Sequence, residues 1–170
     1  CFRASCPEGN GGLTIGGRPV VSAPEKRAFV SAPYSKPTKL LSPEQEQMLF
    51  DKYELSADML SQFGFRWGDS ELVMPVYGAD DMALGVAIKR FYKTRNKALN
   101  FIDNNKYPWA ALYKCPGAKK TFIVEDCLSA LKLRQCGVNA VALLGTYLDE
   151  ETANYLAGLF PDTVVALDRD

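Results

Sequence analysis

The sequence predicts an α/β protein in which a mostly parallel sheet flanked by helices follows a smaller, basic α+β subdomain, and three observations carry that reading. From Thr121 onward, short wholly apolar runs alternate with amphipathic stretches in the order strand, helix, strand, helix, strand. Upstream of them stand two β-rich runs, ELVMPVYG and ALGVAIKRFY, separated by the turn-like residues Ala79 to Met82. Charge is also partitioned. Val86 to Lys120 holds nine bases and one acid, a net of +8, whereas Thr121 to Asp170 holds eight acids and three bases, a net of −5, although the whole chain sums to zero.

A chain of 170 residues that is 47% hydrophobic and 24% charged can bury a sizeable core, which excludes collagen-like, disordered and disulfide-scaffold classes. The absence of His removes His-based triads, His-ligated zinc and imidazole acid–base catalysis, leaving carboxylates, metals, Lys, Arg, Tyr or Cys to do any chemistry. No apolar run approaches the roughly eighteen residues of a membrane helix, and no signal sequence opens the chain. A cytoplasmic protein without a membrane partner is expected. Cys1 in place of Met, and an end at Asp170 directly after an apolar strand, suggest a piece of a longer protein.

Five Cys, at 1, 6, 115, 127 and 136, are odd in number and lack the close spacing of a secreted framework, so a reducing compartment is expected. Cys1 and Cys6 form a C-x4-C pair within residues 1–12. The pair reads either as the remnant of a four-cysteine zinc ribbon or as two thiols that bind nothing. A closed zinc site needs four ligands, which favours the second for this chain and leaves Zn²⁺ expected only in a longer parent chain. Cys127 and Cys136 fall on one predicted helix as small core residues. Residues 13–41, rich in Gly, Pro and Ser without sustained period, are expected to be a linker.

The basic subdomain is assigned to residues 42–118. Ser42, Pro43 and Gln45 read as N-cap, first-turn Pro and capping-box Gln of a helix through Met48, Leu49 and Tyr53. Ser56 caps a second, short helix carrying Leu60 and Phe63 and closed by Gly64. The hairpin follows. Residues Lys93 to Lys120 mix bases with Phe101, Tyr107, Trp109 and Tyr113 and give no clear period. The second domain is assigned to residues 119–170. TFIVE is a strand ending in an acid, DCLSALKLRQCG a helix stopped at Gly137, AVALLG a second strand, TYLDEETANYLAGLF a helix with acids in its first turn, and TVVALD a third strand. Such spacing implies parallel strands joined by right-handed crossovers.

In open parallel sheets ligands gather at the carboxyl ends of the strands. Glu125 closes the first strand, Asp168 and Asp170 close the third, and strand alternation points the two aspartates to one side with Arg169 on the other. Carboxylates gathered at one sheet edge repel one another unless a cation sits between them. Mg²⁺ or Mn²⁺ is the expected partner, able to neutralise a phosphoryl transition state.

With these motifs in place, the stretch from Lys119 to Asp170 resembles the Toprim domain of primases, type IA and type II topoisomerases, OLD-family nucleases and RecR-type repair proteins. It is most similar to the primase half of T7-like bacteriophage primase-helicases. The upstream hairpin and basic block resemble the basic subdomain preceding Toprim in those primases, and CFRASC resembles the second knuckle of their zinc ribbon. The resemblance implies that Glu125 is the Toprim glutamate, a metal ligand or general acid/base, that Asp168 and Asp170 are the metal-binding D-x-D, and that Gly145 allows close backbone approach. Many primases have Gly after the glutamate and an acid four residues after it. Here those places hold Asp126 and Ser129, and Asp126 either supplies the displaced charge or serves as a helix-start acid.

The function implied is a DNA primase fragment: metal-dependent, template-directed synthesis of short RNA primers from NTPs on single-stranded DNA. Lys89, Arg90, Lys93 and Lys114 are the candidate phosphate contacts, with aromatic rings nearby for stacking. A solvated, aggregation-blocking edge strand is the alternative for these bases. Toprim-type nuclease or topoisomerase-like cleavage, and a non-catalytic nucleic-acid-binding module, are the competing functions. No G-x-x-x-x-G-K-[ST] occurs, so a replicative helicase is expected only as a partner or as a neighbour in the parent chain, in the host cytoplasm if phage-encoded.

Overall fold

A computed structural model describes residues 33–102 and 110–167. Cys1 and Cys6, most of the expected linker, and Asp168 with Asp170 lie outside the described residues.

Two helices lead. α1 (Pro43–Tyr53) starts on the expected capping box: the Ser42 side chain accepts from Gln45 N while Gln45 Oε1 accepts from Ser42 N. α2 (Ala57–Gln62) is capped by Ser56 and followed by Gly64 at φ +68°. A four-stranded antiparallel sheet comes next, β1 (Arg66–Gly68), β2 (Glu71–Tyr77), β3 (Ala83–Arg90) and β4 (Ala98–Ile102), in that spatial order. β2 and β3 are the anticipated hairpin, paired from Glu71↔Arg90 to Tyr77↔Ala83 with an irregularity at Val76/Tyr77. Opposite it sits Gly85 at φ +153°, where a Cβ would meet Phe101 O at 2.1 Å, so no other residue fits.

The second sheet has the order β5-β7-β6-β8. β6 (Thr121–Val124) pairs in parallel with both β7 (Asn139–Ala142) and β8 (Thr163–Val165), while β5 (Ala111–Tyr113) runs antiparallel to β7. α3 (Cys127–Gln135) and α4 (Glu150–Leu159) are the crossover helices. The sheet is therefore mostly parallel, as expected. β5 precedes residue 119 in sequence yet belongs to this sheet. β7 begins one residue before the expected strand and stops at Ala142, because Leu144 turns the chain at φ +60°.

Both faces of the second sheet are covered. On one, Tyr113, Val124, Ala140 and Ala142 join Leu128 and Leu131 of α3, Leu49 and Leu60 of the leading helices, and Leu72, Met74, Val76 and Ala87 of the first sheet in one cluster. On the other, Leu112, Ile123, Val141 and Leu143 pack under Leu156 of α4. Strand alternation assigns Val124 to the first layer and Ile123 to the second. Cys127 is buried in the shared cluster, and burial pushes its thiol up to about 12. Cys136 departs from expectation: it is the C-cap of α3 and exposed, since the helix ends before it can turn inward.

The outer face of the first sheet is organised by a buried carboxylate. Glu71 is 0% exposed and accepts from Arg90 Nε (2.9 Å), Tyr92 Oη (3.0 Å), Lys36 Nζ (3.1 Å) and Tyr34 Oη (3.2 Å). Burial pushes this carboxyl up, but the hydrogen bonds from Arg90, Lys36 and Tyr92, together with the charge of Lys36, outweigh it and leave it below its ordinary 4.5. Burial, then the Glu71 charge, raises Tyr34 to about 12. Residues 33–41 are thereby tied down, with Lys39 and Trp67 exchanging backbone hydrogen bonds of 2.9 Å.

Replacing Glu71 by Gln leaves Arg90 without its counter-charge, and urea denaturation is expected to register a loss of about 3 kcal/mol. Because the folded carboxyl titrates below 4.5, its contribution is complete above that pH and drains away as the pH falls through the folded value. The variant should therefore lack part of the wild-type acid-induced loss of stability below about pH 4.5.

Candidate active-site edge

The carboxyl ends of β6, β7 and β8 form one edge. Leu143 N donates to Val124 O (2.9 Å), Gly145 N to Glu125 O (3.3 Å), and Ala166 N to Ile123 O (2.8 Å). Glu125, half-buried, therefore sits where β6 ends, beside the Gly145 backbone. The β6–β8 register ends at Ile123↔Val165, and Glu125 and Leu167, the residue before Asp168, each follow two residues after that last pair. Among the described residues no group of three or more His, Cys, Asp or Glu is gathered to hold a metal ion. Nor is any described helix long and apolar enough to cross a membrane.

Asp126, whose role the sequence left open, is the N-cap of α3. Its Oδ1 accepts from Leu128 N (2.8 Å) and Ser129 N (3.1 Å), and its Oδ2 accepts from Ser129 Oγ (3.1 Å). The two positions at which the sequence departs from the primase pattern are thus bound to each other, and both oxygens of Asp126 serve the helix start.

The four candidate cations are divided by strand alternation and by the hairpin's length. Lys89, opposite Leu72 and Ala98, lies on the face of the first sheet that carries Ala87 and Asn100, with Nζ 4.9 Å from the Tyr53 ring centroid. Arg90 points to the other face, into the Glu71 cluster, where its Nη1 also donates to Asn96 O (3.3 Å). Lys93 follows the strand and is exposed. Lys114 is elsewhere: at the end of β5 it pairs with Asp81 Oδ1 (3.0 Å) and donates to Ala79 O, at the hairpin's tip. Six residues of β3 separate that tip from Lys89, roughly 20 Å. Lys52, which sequence reasoning passed over, shares the Lys89 surface, its Nζ within 5.4 Å of the Tyr53 centroid and 5.6 Å of the Phe91 centroid.

Asn100 was also not anticipated. It is 7% exposed, and its Nδ2 donates to Leu144 O at 3.0 Å, joining the first sheet to the turn beside Glu125. A buried Asn within a weakly periodic, basic stretch left no sequence signal of its partner.

The fold is similar to that of primase catalytic cores. A DnaG catalytic core matches with a TM-score of 0.57 at 13% identity, over 70% of this chain and 53% of that one. A DnaG primase catalytic domain bound to single-stranded DNA matches with a TM-score of 0.57 at 16% identity, over 73% of this chain and 54% of that one. The chain thus spans about half the length of the primase chains it matches. No family model and no curated protein sequence matches it.

The cap geometry has a direct consequence. Asp126→Ala should cost about 1 kcal/mol in thermal or chemical denaturation, whereas Asp126→Asn, which keeps an oxygen acceptor, should cost only a few tenths.

Proposed function

We propose that this chain is the catalytic part of a DNA primase, joining NTPs into short RNA primers along a single-stranded DNA template. The observation that carries the reading is a fold like that of primase catalytic cores in which Glu125 directly follows β6, beside the Gly145 backbone, at the edge where β8, the strand before the D-x-D, also ends. Glu125, Asp168 and Asp170 offer only carboxylate oxygens, a donor set that fits a hard dication. These three would hold Mg²⁺ or Mn²⁺, which when bound supplies charge neutralisation for phosphoryl transfer.

The chain's own residues account for the rest. The 3′-hydroxyl of one nucleotide attacks the α-phosphate of the next, and pyrophosphate leaves. Lys89 lies on the same face of the first sheet as Asn100, over the Tyr53 ring, and with exposed Lys93 offers cations to triphosphate or template backbone. Arg90, committed to Glu71 on the opposite face of that sheet, contributes less directly. Lys114 serves template only if the strand extends to the hairpin tip. The sequence resemblance to T7-like primase-helicases adds a replicative helicase as partner and host cytoplasm as location. A zinc ribbon containing Cys1 and Cys6 in a longer parent chain would read the template sequence.

The test incubates the protein with single-stranded template, NTPs and Mg²⁺ or Mn²⁺. Labelled di- to tetranucleotides are expected. Shortened DNA would indicate a nuclease instead, and template binding without either product a non-catalytic module. Glu125→Gln should lower synthesis by about two orders of magnitude or more while template affinity, followed by fluorescence anisotropy, stays near wild type. Full activity in that variant would remove the assignment.

A further inference from the structure

We propose that Asn100 is the positioning residue of the carboxylate edge, the point through which the basic sheet sets the geometry of the turn beside Glu125. The proposal rests on the reading of that edge as catalytic. Asn100 lies opposite Ala87 in the β3–β4 ladder, on the sheet face that looks into the shared core. Its side-chain amide reaches out of its own sheet to the Leu144 carbonyl, 44 positions along the chain. The acceptor is an unusual one. Leu144 holds φ +60°, a left-handed conformation that a residue with a bulky side chain adopts only when its surroundings impose it.

Two contacts impose it here. The Leu144 side chain is buried in the shared core, and its carbonyl is taken by Asn100. The next residue, Gly145, donates its N–H to the Glu125 carbonyl. Asn100, Leu144, Gly145 and Glu125 therefore form one continuous line of contacts from the first sheet to the end of β6. Lys89 lies two residues along β3 from Ala87, on the same face as Asn100, so this line also sets the spacing between that cation and the carboxylate edge. A buried amide donor cannot be exchanged for an isostere: Asp at position 100 would set oxygen against the Leu144 carbonyl, and Leu would leave that carbonyl unpaired.

The test compares the protein with its Asn100→Asp, Asn100→Leu and Glu125→Gln variants by residue-resolved amide hydrogen exchange and by primer-synthesis kinetics. In both Asn100 variants the Gly145 amide is expected to exchange about tenfold faster or more, while amides of the β2–β3 ladder keep wild-type rates. The kcat for primer synthesis should fall about tenfold or more, with KM for NTP and template affinity within about twofold of wild type. Wild-type exchange at Gly145 in either variant overturns the proposal. Equal acceleration throughout the first sheet, or failure of both variants to fold, also overturns it, because Asn100 would then be a general stability residue. The two readings separate cleanly. An inactive Glu125→Gln beside normal Asn100 variants defeats this inference alone, whereas an active Glu125→Gln beside a loosened Gly145 defeats the catalytic reading of the edge and leaves the positioning contact standing.

Discussion

β6 is the constraint on which the rest of the molecule is arranged. It is hydrogen-bonded on both sides, to β7 and β8, and its alternate side chains are buried in opposite layers, Val124 in the core shared with the first sheet and Ile123 under α4. A strand so enclosed cannot slip by one residue without driving its apolar side chains into the wrong layer. Its register is therefore set, and with it the position at which Glu125 leaves the sheet.

The first sheet is organised by charge on one face and by apolar packing on the other. Toward the second sheet, Leu72, Met74, Val76 and Ala87 merge with the core that also holds Tyr113 and Leu131. On the outer face, Glu71 gathers Lys36, Arg90 and two tyrosine hydroxyls. A carboxylate removed from water is tolerable only because several donors replace its hydration, and the same donors hold residues 33–41 against β2. Adjacent bases in sequence consequently do different work: Arg90 is consumed by the fold, whereas Lys89 lies over Tyr53 on the face shared with Asn100.

Asn100 connects these two constructions. The apolar core brings the sheets together without specifying their alignment at the level of a single carbonyl, since hydrophobic contact is non-directional. A buried hydrogen bond supplies that direction. Its acceptor, Leu144, lies in the turn where β7 has ended and the edge with Glu125 begins.

Much of this was determined by the amino-acid sequence alone. The capping box at Ser42, the β2–β3 hairpin, and the strand–helix alternation after Thr121 are local signals, in which propensity, period and turn chemistry agree within a few residues. Glu125 at a strand end was legible for the same reason. Only the tertiary structure decided the short strands β1, β4 and β5, which have little period of their own and exist because a neighbouring strand pairs with them. It likewise decided that Asp126 serves as a helix cap, that Lys114 stands at the far end of the hairpin, and that Asn100 meets Leu144. These outcomes depend on partners distant along the chain, and a side chain's chemical type says nothing about which distant partner the packed core will bring to it.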